Sequence, residues 1–247
     1  MVKLKELVRY CDERLQTTTF DDYCPNGLQV EASDNVTKIV SGVTASLELI
    51  EQAAELQADL LLVHHGYFWK GEAAPLTGMK GRRIRRLFDS GLSLLAYHLP
   101  LDAHPEVGNN AGLGRAMGVD GEPLQAGSLV WGGELQQEIS GQVFAQHLAE
   151  VLNRPPLALN AERAIHRVAW CTGAAQGYIA QAAESGFDAF VSGEVSEQTL
   201  HQARELDIAY FGAGHHATER FGVQALGEEL RGNFGLSHVF VDADNPV

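Results

Sequence analysis

The feature that most constrains this chain is a short apolar run, Leu60-Leu-Leu-Val63, that follows Asp59 and leads directly into His64-His65-Gly66. Four consecutive branched apolar residues between polar neighbours suit a strand buried on both faces. Strands of that kind belong to α/β layering, in which helices cover both sides of a largely parallel sheet. The flanking sequence agrees. Lys38–Val43 reads as a strand, and Ser46–Leu56 as a helix with Leu47, Ile50, Ala53 and Ala54 on its inner stripe. Arg82–Ser90 reads as a further helix and Leu92–Tyr97 as a third strand, while Leu4–Leu15 has a helical apolar period and Pro25-Asn-Gly-Leu28 marks a turn.

The second half repeats this plan. At a shift of 129 residues, Lys38–His65 overlies Arg167–Glu194, and Ile50, Gln52, Ala53, Ala54, Glu55 and Asp59 match Ile179, Gln181, Ala182, Ala183, Glu184 and Asp188. An internal duplication is expected, with a first α/β repeat over residues 1–125 and a second over 126–247. A generic amphipathic helix would supply the alanines but not the whole frame. Asp120–Pro156, rich in Gly and Pro with a helix expected over Gly141–Leu152, reads as a link between domains or an inserted element.

Each half also delivers a histidine and an acid after an apolar strand: His98-Leu-Pro-Leu-Asp102 after Leu92–Tyr97, and His215-His-Ala-Thr-Glu219 after Ile208–Ala213. In open α/β sheets ligands sit outside the carboxyl ends of the strands. If Gly214 opens a helix, the i,i+4 spacing puts His215 and Glu219 on one face. His64 and His65 lie on opposite sides of a regular strand, but a strand ending at Val63, with Gly66 allowing a turn, lets both imidazoles converge.

Three imidazoles and two carboxylates (His64, His65, Asp102, His215 and Glu219) suit two divalent ions such as zinc, manganese, iron, nickel or cobalt. An ion pair of that kind polarises a substrate oxygen and generates hydroxide near neutral pH. A lone histidine at a strand end is more often a hydrogen-bonded core or surface residue, and only the clustering at three strand ends shifts that balance. His98 either ligates or holds a carboxylate or substrate from behind. His104, His147, His166, His201 and His238 read as structural or solvated, and His216 as directed away from the site.

Other chemistries have less support. There is no GxSxG elbow, no GxxxxGK[ST] loop and no GxGxxG after a strand. Cys11, Cys24 and Cys171 show no CxxC or disulfide spacing and read as buried or incidental thiols, with Cys24 or Cys171 the only candidate nucleophiles. The formal charge of −14 repels nucleic-acid phosphates, so general nucleic-acid binding is disfavoured. Five of the eighteen basic residues nonetheless fall within Lys80-Gly-Arg-Arg-Ile-Arg-Arg86. That cluster is either the solvated face of a helix, a local site for an anionic ligand, or a patch complementary to an acidic neighbour. No apolar stretch is long enough for a membrane span and no signal peptide is evident, so the cytoplasm is the expected compartment.

Taken in order, Pro25-Asn-Gly-Leu-Gln-Val-Glu31, Val63-His-His-Gly66, His98-Leu-Pro-Leu-Asp102, Ser192-Gly-Glu194 and Gly214-His-His-Ala-Thr-Glu219 resemble the signature set of the NIF-three-like family, also labelled GTP cyclohydrolase 1 type 2 homologues. The resemblance runs from about residue 20 to the C-terminus and is nearest to the compact bacterial members. It implies two intertwined α/β repeats with largely parallel or mixed sheets flanked by helices, a toroidal homohexamer, and a dinuclear metal centre. Carried over, the ligands fall on His64, His65, Asp102, His215 and Glu219, with His98 adjacent. Many relatives carry Gly-Asp with a nearby histidine where this chain has Gly193-Glu194 and Gln198. Glu194, the counterpart of His65 under the duplication, is expected near the site as a base or hydrogen-bond acceptor. Two readings of function follow. One is a metal-dependent hydrolase acting on a purine nucleotide or related C–N or phosphoester substrate, with His98 or Glu194 managing protons. The other is a non-catalytic metal-binding ring that serves in metal handling, ligand sensing or protein interaction.

Overall fold

The computed structural model describes every residue from Met1 to Val247. In chain order the elements are β1 (Val2–Lys3), α1 (Leu4–Leu15), β2 (Gly27–Val30), β3 (Asn35–Val36), β4 (Lys38–Thr44), α2 (Leu47–Glu55), β5 (Leu60–His65), α3 (Gly78–Asp89), β6 (Ser93–Ala96) and α4 (Leu99–Ala103). There follow α5 (Asn109–Met117), β7 (Asp120–Pro123), β8 (Trp131–Ser140), α6 (Gly141–Leu152), β9 (Leu157–Leu159), β10 (Ala164–Cys171), α7 (Ile179–Glu184), β11 (Ala189–Ser192), α8 (Thr199–Glu205), β12 (Ala209–Gly212), α9 (His215–Thr218), α10 (Arg220–Phe234) and β13 (Ser237–Phe240). No helix is long and apolar enough to cross a membrane. The chain forms two compact units, Met1–Leu101 with Gly222–Asp244, and Asp102–Phe221 with Asn245–Val247.

The first unit holds a five-stranded sheet in the order β13-β4-β5-β6-β2. β13, β4, β5 and β6 are parallel, and β2 closes the edge antiparallel to β6. The run Leu60–Val63 is completely buried. On one face Val40, Leu61, Val63 and Leu94 pack with Ile50 and Ala53 of α2 and with Ile84 and Leu87 of α3. Burial of each Val, Leu or Ile side chain here contributes roughly 1.5–3 kcal/mol. α2 starts where Ser46 accepts a hydrogen bond from Leu49 N–H, satisfying one of the orphan donors of its first turn. α1 buries Leu4, Leu7, Cys11 and Leu15 along one stripe and ends at Gln16 in the left-handed region.

The second unit holds a six-stranded sheet in the order β7-β8-β10-β11-β12-β9. β10, β11 and β12 are parallel, whereas β8 and β9 flank them antiparallel. Alternation along the strands divides the core. Val191 and Phe211 face Phe144, Leu148 and Leu152 of α6, while Phe190 and Tyr210 face Ile179 and Ala182 of α7. Asp120–Pro156 is therefore not a link between domains but part of the second unit itself: β7 and β8 form the sheet's antiparallel edge, and α6 covers one face.

The two sheets share local geometry at the sequence shift of 129. Asp59 Oδ2 accepts hydrogen bonds from the backbone N–H of Thr37 (2.7 Å) and Lys38 (3.0 Å). Asp188 Oδ2 accepts from His166 (3.0 Å) and Arg167 (2.7 Å). Asp59 N–H donates to Lys38 C=O, and Asp188 N–H to Arg167 C=O. Ile50 and Ile179, and Ala53 and Ala182, are all fully buried. The architecture is α/β, with mixed sheets flanked by helices.

Candidate metal centre

β5 continues through both histidines and ends at His65, not at Val63 as the apolar run predicts. Its pairing with β4 extends to Thr44 and His65, so the ladder carries the imidazoles. Gly66 serves a close approach instead of a turn: a Cβ there would lie 2.2 Å from Gln29 Oε1 and 2.7 Å from the Ala96 Cβ. His64 is fully buried. Despite the alternation of the strand, the His64 and His65 rings lie 4.6 Å apart, and the His98 ring lies 5.1 Å from His64 and 5.8 Å from His65. One ligating atom from each of the three falls within 4.8 Å of the others.

Hydrogen bonds fix the tautomers of two of these rings. His64 Nδ1 lies 2.8 Å from the Tyr97 carbonyl, which can only accept, so Nδ1–H donates and the ring lone pair is on Nε2. His98 Nδ1 donates likewise to Asp22 Oδ1 at 2.7 Å. Asp22 also receives Leu99 N–H at 3.0 Å and the Asn26 side-chain amide at 2.8 Å. Burial alone would raise the Asp22 carboxyl, but the bonds from His98 and Asn26 and the His98 charge outweigh it and hold it at about 2. His65 Nδ1 meets the Thr44 hydroxyl at 3.1 Å, a partner that suits either tautomer. The Trp69 ring lies 5.0 Å from His98 and 5.9 Å from His65.

The second unit gathers Asp102, His215 and Glu219. Asp102, on α4 one turn after His98, is buried, and its Oδ1 accepts from Asn109 Nδ2 (2.8 Å) and Thr172 Oγ1 (3.1 Å). Asn110 ties the same segment to the end of β10, donating to the Asp102 carbonyl and accepting from Thr172 N–H. Gly214 precedes α9 with φ of 100°, a conformation that favours glycine, and the Arg154 guanidinium fills the space a side chain would need. The helix then places His215 Nε2 3.2 Å from Glu219 Oε2, as the i,i+4 spacing predicts. The ligating carboxylate atoms of Asp102 and Glu219 lie within 4.8 Å of each other. Glu194 Oε1 accepts from His215 Nδ1 at 2.7 Å, and the Tyr210 hydroxyl donates to the Glu194 carbonyl. Burial would lower the His215 imidazole, but Glu219 and then Glu194 outweigh it and raise it to about 9.

His64, His98 and His215 thus each donate Nδ1–H to an oxygen acceptor; this leaves the lone pair on Nε2 of His64 and His98, and on Nε2 of His215 once that ring gives up its second proton. That arrangement orients metal-ligating histidines and increases their basicity. The donor set therefore fits borderline divalent ions. The protonated His215 between Glu194 and Glu219 supplies positive charge that an ion would bring instead.

Most of the remaining candidates have identified surroundings. His104 Nδ1 accepts from Glu106 and Val107 N–H, His147 meets the Met117 carbonyl, and His238 bridges Ser41 and Glu228. His201 is exposed beside Glu197. Gln198 sits at the start of α8. All three cysteines are buried free thiols. Burial and then Asp22 push Cys24 up to about 12, and burial with Asp102 and Glu219 pushes Cys171 higher still, so neither is a thiolate nucleophile. Asp22, Asn109, Thr172 and Trp69 carry no sequence signal of their own; only the adjacency of Asp22 to Pro25-Asn-Gly-Leu28 hints at a role.

A family model described as Duf34/NIF3 (NGG1p interacting factor 3) matches residues 2–246. The chain is 56% identical over 250 residues to the GTP cyclohydrolase 1 type 2 homolog of Allochromatium vinosum, covering 100% of this chain and 98% of that protein. It is 53% identical to the protein of the same description from Pseudomonas aeruginosa, covering 100% and 99%. Among solved structures, protein ybgI, described as of unknown function, superposes with a TM-score of 0.96 at 46% identity over 100% of both chains. The chain belongs to the Duf34/NIF3 family.

Proposed function

We propose that His64, His65, Asp102, His215 and Glu219 hold two divalent ions per chain, and that the protein is a hydrolase of C–N or phosphoester bonds in a purine nucleotide or related substrate. The observation that carries this reading is the matching support of the proposed ligands His64 and His215, each held at Nδ1 by an acceptor-only oxygen. The description shared by the Allochromatium and Pseudomonas relatives supports the substrate class.

Bound at these ligands, divalent ions would supply Lewis-acid polarisation of a substrate oxygen and activate water at neutral pH. The chain's own residues do the rest. Asp22 fixes His98 with its basic Nε2 turned away from the carboxylate, the arrangement of an imidazole that takes up and returns a proton. Glu194 holds His215 in the ligating tautomer and acts as a positioning residue. Asn109 and Thr172 orient Asp102. Trp69 walls His98 and excludes water from one side of the ring.

We also read the two sheets as copies of one ancestral unit, on the matched Asp59 and Asp188 bonds. The family resemblance supports a toroidal homohexamer. The test is turnover: protein loaded with Mn or Zn is screened against nucleotides, dinucleotides and peptides. Hydrolysis abolished by Asp102→Ala and by Glu219→Ala is expected. Absence of any metal-dependent turnover across the panel would favour a non-catalytic metal-binding role.

A further inference from the structure

α3 has two faces. Ile84 and Leu87 are buried in the core of the first unit. The opposite face presents Gly78, Gly81, Arg82, Arg85, Arg86 and Asp89, positions that recur at helical spacing. These residues, with Leu47 and the Leu76–Thr77 turn, line a recess of about 600 Å³. That volume lies within the range of small-molecule sites. The turn and the helix are fitted tightly together: a Cβ on Gly81 would lie 2.5 Å from the Leu76 carbonyl oxygen, and Gly78 has φ of 55°.

The charge in this recess is unbalanced. Arg82 and Arg85 are exposed and Arg86 is half-buried. No carboxylate forms an ion pair with any of them, whereas the neighbouring Lys80 pairs with Glu72 at 3.4 Å. Asp89 is the single acid among the lining residues. Arg82 stands i,i+3 from Arg85 and i,i+4 from Arg86, spacings at which like charges destabilise a helix. In a chain of net charge −14, this concentration of guanidinium groups lies outside the buried stripe of α3, which is Ile84 and Leu87. Planar guanidinium forks match phosphate oxygens two at a time, and several forks on one face suit several adjacent phosphoryl groups. Leu47 and Leu76 add apolar wall beside them. A recess of this limited volume, open to solvent, suits a compact polyanion better than a duplex, which needs an extended surface.

We propose that this recess binds an oligophosphate group, free or carried by a nucleoside, through Arg82, Arg85 and Arg86. The site is independent of the metal reading and uses none of its residues.

The test is calorimetric titration of full-length, EDTA-stripped protein with inorganic tripolyphosphate and, separately, with GTP, without added divalent ions. Removing metal excludes phosphate binding to an ion and separates this result from the fate of the metal proposal. Both probes are expected to bind. Arg82→Ala/Arg85→Ala is expected to weaken each by roughly tenfold or more per guanidinium removed. Both positions are exposed on a helix and alanine is the better helix former, so the variant is expected to keep its fold, checked by circular dichroism. Tighter binding of GTP identifies a nucleotide as the carrier, with its nucleoside against Leu47 and Leu76. Equal affinity identifies the phosphate chain alone. The proposal is overturned if neither probe binds at millimolar concentration, if the double variant binds as well as the parent, or if a single-stranded oligonucleotide of equal charge binds more tightly than both.

Discussion

Glu194 Oε1 lies 2.7 Å from His215 Nδ1, on the side of the ring opposite the 3.2 Å contact between Nε2 and Glu219. The imidazole is thus held between two carboxylates, one that fixes its tautomer and one proposed to share its metal. Glu194→Gln keeps the size of the side chain but removes the charge. Loss of such a supporting carboxylate is expected to weaken metal affinity about 10- to 100-fold. Competition titration with a chromophoric chelator checks this, and unchanged affinity would remove Glu194 from the site.

The same pair sets a pH dependence in metal-free protein. His215 is raised to about 9 in the folded chain, against an ordinary value of 6.5. A group raised on folding contributes stability that is fully present below its unfolded value and is lost as pH rises through the folded one. The urea midpoint of metal-free protein is expected to fall between about pH 6.5 and pH 9, and Glu194→Gln is expected to flatten that fall. Metal binding requires the neutral ring, so uptake below pH 9 is expected to release a proton and to weaken as pH falls.

Gly173 has φ of 68°, and a Cβ there would lie 2.3 Å from Glu219 Oε1 and 3.4 Å from His215 Nε2. Gly173→Ala therefore strains the backbone and displaces a proposed ligand together. A stability loss of about 1–3 kcal/mol is expected from the left-handed backbone alone, with reduced metal content. Thermal melts and metal analysis on the same sample separate the two effects.

Asp22 receives the His98 imidazole, Leu99 N–H and the Asn26 amide, and it is held at about 2 against an ordinary 3.8. A depressed carboxyl contributes stability above its unfolded value that is lost as pH falls through the folded one. Asp22→Asn is expected to cost about 1–3 kcal/mol at pH 7, with the difference from the parent shrinking between about pH 4 and pH 2. Turnover, once a substrate is found, is expected to drop in this variant without a matching rise in KM.

Much of the secondary structure was legible because it depends on local pattern. The apolar period of α1 and the Ser46 start of α2 predict those helices within a residue, and α6 has the bounds its sequence predicts. What escaped depends on partners distant in sequence. Thr172 reaches Asp102 across 70 residues and Asp22 reaches His98 across 76. The short strands β3, β7 and β9 exist only through pairing. The imidazoles of His64 and His65 converge as expected, with rings 4.6 Å apart, but β5 runs through both of them instead of ending at Val63. The start of α3 was set four residues late because Gly78 and Gly81 are poor helix formers whose role is close contact with the Leu76 turn.

The matched bonds of Asp59 and Asp188 allow a symmetric test. Asp59→Ala and Asp188→Ala each remove the acceptor of two backbone N–H groups. Each is expected to cost about 1–3 kcal/mol, lowering Tm by several degrees. Near-equal losses measured by calorimetry support the duplicated frame, and a loss at only one position argues against it.

Metal content tests the central proposal most directly. Protein stripped with EDTA, reconstituted separately with Zn and Mn and freed of excess is analysed by plasma mass spectrometry. Close to two ions per chain are expected, falling sharply in Asp102→Ala and Glu219→Ala. Content near zero after reconstitution, or content unchanged by both substitutions, would contradict the metal centre.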